Sequence, residues 1–83
     1  METAKFIYKD VFTRFYKEIE NGNKNFEIRR YDKDVRVGDF LVLTEYDDIK
    51  CVYTGNVIVK EVKYILYGCP QFGLMDGYCI YGF

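Results

Sequence analysis

Histidine is absent from this 83-residue chain, and so is tryptophan. The missing histidine takes away the commonest metal ligand and the commonest general base, and with them Ser-His, Cys-His and His-zinc chemistry. Proline occurs once, at Pro70, and no stretch approaches the roughly 20 apolar residues of a membrane span. The start Met1-Glu2-Thr3-Ala4-Lys5 has no basic segment followed by an apolar run, so no secretory leader is read there. The three cysteines, Cys51, Cys69 and Cys79, are odd in number and form no C-x-x-C pair, which leaves neither a zinc ribbon nor a disulfide framework. The expectation is reduced, packed thiols in a cytoplasmic protein, with no metal and no cofactor. An excess of one charge is lacking too. Twelve Lys and Arg against thirteen Asp and Glu give a net charge of −1, which excludes a protein that coats duplex DNA through bulk positive charge.

Apolar residues are plentiful by contrast. They make up 49% of the chain, with nine Tyr and seven Phe, so residues 1–83 suffice for a single domain with one core and no need of disulfides. Residues 10–21 read as the one amphipathic helix, because Val11, Phe12, Phe15, Tyr16 and Ile19 recur at three- and four-residue spacing. Asp10 is the expected N-cap, and Asn21-Gly22 the expected stop through a left-handed residue. Phe6 to Tyr8 reads as a short strand before the helix.

The period then changes to two. Phe26 and Ile28 alternate with Glu27 and Arg29, the mark of a strand with one polar face. Phe40-Leu41-Val42-Leu43 is apolar on both sides and predicts a central strand covered on both faces. Asp47 to Lys50 reads as a polar turn. Thr54-Gly55-Asn56, between Val52-Tyr53 and Val57-Ile58-Val59, predicts a hairpin turn, followed by a long strand to Leu66 paired on both sides for part of its length, with an irregularity at Lys60-Glu61. Gly68 to Gly77 reads as a covering loop and Tyr78 to Phe83 as the last strand. The fold class expected is α+β: a small, partly closed β-barrel of five to six strands with one main helix.

Positive charge is concentrated just after the helix. Residues 24–36 carry five basic against three acidic side chains, whereas residues 37–83 carry three against six. Within that segment stand Gly22, Lys24, Glu27 and Arg29, spaced G-x-K-x-x-E-x-R. On a strand Glu27 and Arg29 share a face about 7 Å apart, close enough to pair or to grip one polar ligand. Lys24 joins them only if the chain is still turning at Asn23-Lys24, which Gly22 permits.

G-x-K-x-x-E-x-R after an amphipathic helix resembles the signature of the ASCH domains, a branch of the PUA-like superfamily of small β-barrels. The segments Asn25 to Arg30, Val37-Gly38-Asp39, Glu45-Tyr46, Tyr53-Thr54-Gly55, Val62 to Leu66, Phe72-Gly73-Leu74 and Gly77-Tyr78 are similar in order and spacing to the DUF3850 subfamily, over about three quarters of the chain. The chain lacks a His that members often carry before the first strand, and it has Asn25 and Asn56 where a Thr and an Arg often stand. The resemblance implies a PUA-like barrel whose helix and motif strand line a cleft, and RNA or a nucleotide as ligand.

The leading expectation is therefore a binding module in which Lys24 and Arg29 meet phosphate or a base edge. Glu27 would orient Arg29 or accept an exocyclic amine, and Tyr31 or Tyr78 would stack a base. The competing enzyme reading draws on the acetylcytidine amidohydrolases, whose Lys matches Lys24, and on relatives described as ribonucleases, with Lys24 and Glu27 as acid and base. It lacks a nucleophilic hydroxyl, since the amidohydrolase Thr falls on Glu27. A third expectation, suggested by the frequency of DUF3850 members in phages and mobile elements, is a protein partner: a factor that inhibits a host complex.

Overall fold

A computed structural model of the chain describes residues 3–83. In chain order the elements are β1 (Phe6–Phe12), α1 (Thr13–Glu20), β2 (Phe26–Arg30), β3 (Phe40–Asp47), β4 (Val52–Glu61), β5 (Tyr64–Cys69) and β6 (Leu74–Gly82), with a single 3-10 turn at Pro70–Phe72. The strands make two three-stranded sheets, ordered β1-β3-β4 and β2-β6-β5. β1 runs parallel to β3, and the other three pairings are antiparallel. The architecture is thus α+β with six strands and one helix. Among the described residues no ladder joins one sheet to the other, so a closed barrel is not formed.

The core lies between the sheets and under the helix. Val11, Leu41 and Leu43 from the first sheet meet Ile65, Cys79 and Tyr81 from the second and Tyr16 and Ile19 from α1. β3 is central in its sheet, as its apolar run requires, and Leu41, Val42 and Leu43 are all buried. The second face of this strand is not covered by another layer. Val42 is shielded instead by its ladder neighbours Tyr8 and Val59, beside Phe6 stacked on Phe40 at 5.2 Å.

Four local expectations are corrected. Asp10 does not cap the helix: it lies inside β1, which is longer than expected, and α1 starts at Thr13 behind Phe12 with no side-chain cap. The parallel pairing of β1 with β3 holds residues 10–12 extended, and this ladder outcompetes the helical period. Thr54-Gly55-Asn56 makes no hairpin turn. Gly55 does take positive φ, at 90°, but it serves a bulge within a continuous β4, where the register with β3 shifts between Thr44 and Tyr46. The hairpin is made at residues 48–51, where the Asp47 carboxylate accepts the N–H groups of Ile49 and Lys50, each at 3.0 Å.

The strand after Val57 does not run to Leu66, nor is it paired on both sides. β4 is an edge strand that stops at Glu61, and β5 begins at Tyr64 in the other sheet, so the adjacent charges Lys60 and Glu61 mark a change of sheet. The segment from Gly68 to Gly77 is not a covering loop either. It is a strand-turn-strand hairpin in which Gly68 is indispensable, because a Cβ there would lie 2.8 Å from the Met75 carbonyl oxygen.

Two buried carboxylates anchor the first sheet. Asp39 accepts the backbone N–H groups of Lys5 at 3.0 Å and Arg36 at 2.9 Å and pairs with the Lys5 ammonium at 3.1 Å. Burial alone would raise its pKa, but these donors prevail and hold it below the ordinary carboxylate value. Glu45 sits opposite the bulge and accepts the Asn56 amide at 3.0 Å and the Thr54 hydroxyl at 2.8 Å. The Asn56 bond above all depresses its pKa against burial. The Thr13 hydroxyl is buried without a hydrogen bond of normal geometry, yet it lies close enough to Glu45 to add to that depression.

Both groups titrate lower in the folded state than in the unfolded chain. Their stabilisation is present above the unfolded carboxylate range and is lost as pH falls through the depressed folded values. Denaturant midpoints should therefore be flat above about pH 5 and fall steadily below about pH 4. Asp39→Asn should lower the neutral-pH midpoint and flatten the acid limb; an unchanged acid limb would show that Asp39 is not one of the responsible groups.

Candidate functional site

The G-x-K-x-x-E-x-R residues stand where the helix hands over to β2. α1 ends with the N–H groups of Asn21 and Gly22 bonded to Lys17 and Ile19 carbonyls, both at 3.1 Å, and Gly22 takes φ 84° as expected. The N–H groups of Asn23 and Lys24 then both turn back to the Glu18 carbonyl, at 2.9 and 3.0 Å. That tight turn breaks the pleat before β2 starts, and it brings Lys24 to the same side as Glu27 and Arg29.

The alternation of β2 is inverted relative to an ordinary amphipathic strand. Glu27 is 5% exposed while Ile28, its apolar neighbour, is 54% exposed. Glu27 lies in register with Tyr81 and Arg29 with Cys79, so the charged face of β2 is the one turned to the core. A carboxylate buried this far needs its charge answered. Lys24 supplies one ion pair to Oε1, and Arg29 supplies Nε at 3.0 Å and Nη2 at 2.9 Å to Oε2.

The cations are themselves ordered by further contacts. The Lys24 ammonium donates to the Phe26 carbonyl at 2.7 Å and lies 4.9 Å from the Phe26 ring centre and 5.4 Å from that of Phe15. Arg29 Nη2 also donates to the Asp10 backbone carbonyl on β1. Asp10 therefore contributes its main chain to the site, while its carboxylate accepts Tyr53 at 2.7 Å and Thr44 at 2.8 Å. The Tyr53 bond is the chief reason its pKa is lowered, with Arg29 a lesser one.

Two depressions flank this cluster and share Phe15, Glu27 and Ile28. One, of about 320 Å³, is lined by these with Asp10, Val11, Phe12 and Arg29. The other, of about 280 Å³, adds Lys24 and Phe26. Together they form one groove between the edge of β1, the start of α1 and β2, with a cation in each half. Within the cluster two cations share one carboxylate, while the Asp10 carboxylate, turned to Tyr53 and Thr44, stands near enough to feel the charge of Arg29. Phe12 and Phe15, part of the apolar stripe read in the sequence, stand on the groove wall at 41% exposure each, so that stripe is wider than the core uses. Arg14 lies over both rings, at 5.3 and 4.7 Å.

Tyr31 and Tyr78 are not in this groove. They line a separate depression with Tyr67 on the far half of the second sheet. Cys51 is exposed, Cys69 half-buried and Cys79 buried, each a free thiol. Among the described residues no helix is long and apolar enough to cross a membrane.

A family model described as "Domain of unknown function (DUF3850)" matches residues 9–83, and the chain belongs to that family. No curated protein matches it.

The cluster makes a prediction about stability. Removing one partner of a largely buried ion pair strands the other, at about 3–5 kcal/mol when burial is complete. Glu27 pairs with both cations, whose side chains are only 18% and 27% exposed, so Lys24→Ala and Arg29→Ala should each destabilise the fold, and Glu27→Ala most of all. The contact of Lys24 with the buried carboxylate is what makes its loss costly for stability. Urea midpoints of the three variants check the order, and an unshifted Glu27→Ala midpoint would show that the cluster does not hold the fold.

Proposed function

We propose that this DUF3850 domain is a binding module that takes single-stranded RNA or a nucleotide in the groove between α1, β1 and β2. The observation that carries the reading is the pair of ordered, partly desolvated cations set on one buried carboxylate beneath exposed phenylalanines. An anion arriving there meets N–H donors already positioned and already stripped of much of their water, while a base stacks on Phe12 or Phe15 by displacing the Arg14 guanidinium that rests over them. Glu27 acts as the orienting residue. Both of its oxygens are occupied by Lys24 and Arg29, so reading an exocyclic amine falls to some other group.

The strand order supports a PUA-like arrangement opened along two seams, between β4 and β5 and between β1 and β2. β4 leads through Val62 and Lys63 directly into β5, so the series β1-β3-β4-β5-β6-β2 is that of a barrel whose first and last strands face one another across the Arg29–Asp10 bridge. The groove is the seam between β1 and β2. Free thiols suit a reducing, cytoplasmic setting. Catalysis is less favoured, because the groove walls offer no nucleophilic hydroxyl or thiol beside Lys24 and Glu27.

One observation favours the protein-partner reading as an alternative. The outer face of the first sheet exposes Phe6 and Tyr8 on β1 and Val57 and Val59 on β4, the two strands that flank β3.

Equilibrium binding of labelled single-stranded RNA at several salt concentrations tests the proposal. Lys24→Ala and Arg29→Ala should each weaken binding by about 1.5–3 kcal/mol, the worth of a charge-assisted hydrogen bond, and each should reduce the salt slope by about 0.7. Glu27→Gln separates site from scaffold: it lowers stability and loosens the orientation of both cations but keeps their charge, so affinity should fall less than in either alanine variant. No binding by the folded wild type, or affinity that merely tracks stability through all three variants, would remove the RNA reading and leave the apolar sheet face as the place to look.

A further inference from the structure

The depression holding Tyr31 and Tyr78 shares no lining residue with the groove, yet it lies on the same sheet. It has a volume of about 240 Å³ and is lined by Tyr31, Tyr67, Gly68, Asp76, Gly77 and Tyr78. Its position relative to the cation cluster follows from the register. Arg29, Cys79 and Tyr67 stand in one row across β2, β6 and β5, so Tyr67 projects from the same sheet face as Arg29. The Tyr31 N–H bonds the Gly77 carbonyl at 2.8 Å, which continues the β2–β6 ladder by one step. Tyr31 therefore follows Glu27 and Arg29 on their face, about 7 Å beyond Arg29 along the extended chain.

The walls suit a flat ring. Tyr31 and Tyr67 meet edge to face, centroids 5.5 Å apart at 67°, and both stay more than half exposed, at 51% and 54%. Two glycines keep the space open: Gly68 because the Asp76 backbone approaches it too closely for a side chain, and Gly77 because its φ is 84°. Tyr78 is in register with Arg30 and so projects from the opposite face of the sheet, where the Arg30 guanidinium lies 5.6 Å from the centre of its ring; its backbone, not its ring, closes the depression. Asp76, exposed to solvent, supplies the one carboxylate of the lining.

We infer that the Tyr31–Tyr67 depression is a base pocket for the same strand whose phosphate the Lys24–Glu27–Arg29 cluster holds, and that Asp76 selects bases carrying an exocyclic amine. This rests on the RNA reading of the groove and narrows it: the ligand is an oligonucleotide spanning two subsites, and cytidine or adenosine is preferred to uridine. The physical ground for the preference is that a carboxylate accepts a donated N–H, whereas uracil presents a carbonyl at the corresponding position and meets repulsion.

The test compares short oligocytidylate, oligoadenylate and oligouridylate, each against the single nucleotide. The folded wild type should bind oligocytidylate and oligoadenylate more tightly than oligouridylate, and all oligomers more tightly than mononucleotide. Tyr67→Ala should weaken oligomer binding between about five-fold and about a hundred-fold, the range for loss of one stacked base, while leaving mononucleotide binding unchanged. Tyr67→Phe, which keeps the ring, should restore it. Asp76→Ala should bring the cytidylate-to-uridylate affinity ratio close to one. If Lys24→Ala and Arg29→Ala weaken every oligomer while Tyr67→Ala and Asp76→Ala change neither affinity nor ratio, the pocket is no base site and the groove reading stands alone. If the wild type binds none of the oligomers, both fall together.

Discussion

Beyond the shared apolar core, the Arg29 guanidinium, held in place by the Glu27 carboxylate, ties the two sheets together across their free edges. β1 and β2 are each the free edge of a sheet, and no backbone ladder spans the gap between them. Arg29 crosses it by gripping Glu27 with two nitrogens and turning one of them to the Asp10 carbonyl as well. Lys9 makes a second crossing to Asp32, at 3.7 Å, from the neighbouring turn of chain. An unpaired strand edge invites pairing with another chain, and here both edges at the seam are engaged by side chains instead. The consequence is a seam that is tied at points and open between them, which is what leaves a groove.

The same constraint explains the odd distribution of apolar surface. A small domain can bury only part of what it owns, and this one lacks tryptophan to fill a core cheaply. Its fully buried volume comes from Tyr81, Ile19, Leu41, Leu43 and Val11, and even Tyr81 is enclosed with its hydroxyl unpartnered. Burial of that phenol raises its pKa strongly, so it stays neutral and acts as an apolar ring. With charge occupying the inner face of β2, the apolar residues Phe26 and Ile28 are turned outward, and the phenylalanines of α1 are left to wall the groove.

Legibility in the sequence followed the range of the forces involved. Gly22 was readable because a positive φ after a helix is a local demand. The central place of β3 was readable because a run apolar on both sides has few other homes. Glu27 and Arg29 on one face followed from the period of a strand, although which face was wet did not: the ordinary rule sends charge outward, and only the tertiary meeting of Lys24, Glu27 and Arg29 reverses it. Asp10 and Gly55 failed for a shared reason. Each carries a strong local signal, a cap or a turn, that a long-range ladder overrode, with β3 as the partner in both cases. The tyrosines were the least legible, since Tyr31 finds Tyr67 only through the pairing of β2 and β5 with β6.

A buried carboxylate beside two cations looks at first like a poor anion site, because it cancels half of their charge. The magnitudes argue otherwise. Free lysine and arginine side chains on a surface must be immobilised and partly dehydrated by each ligand they bind, at a cost of about 0.5–1.5 kcal/mol per side chain. Here Glu27, the Phe15 and Phe26 rings and the Asp10 carbonyl have already ordered both cations in the folded state. What Glu27 takes away in Coulomb attraction falls on every anion alike, whereas the ordering benefits only a ligand whose acceptors match the fixed donors. On the proposed reading such a site would trade raw attraction for discrimination, and a chain of net charge −1 has no bulk attraction to trade.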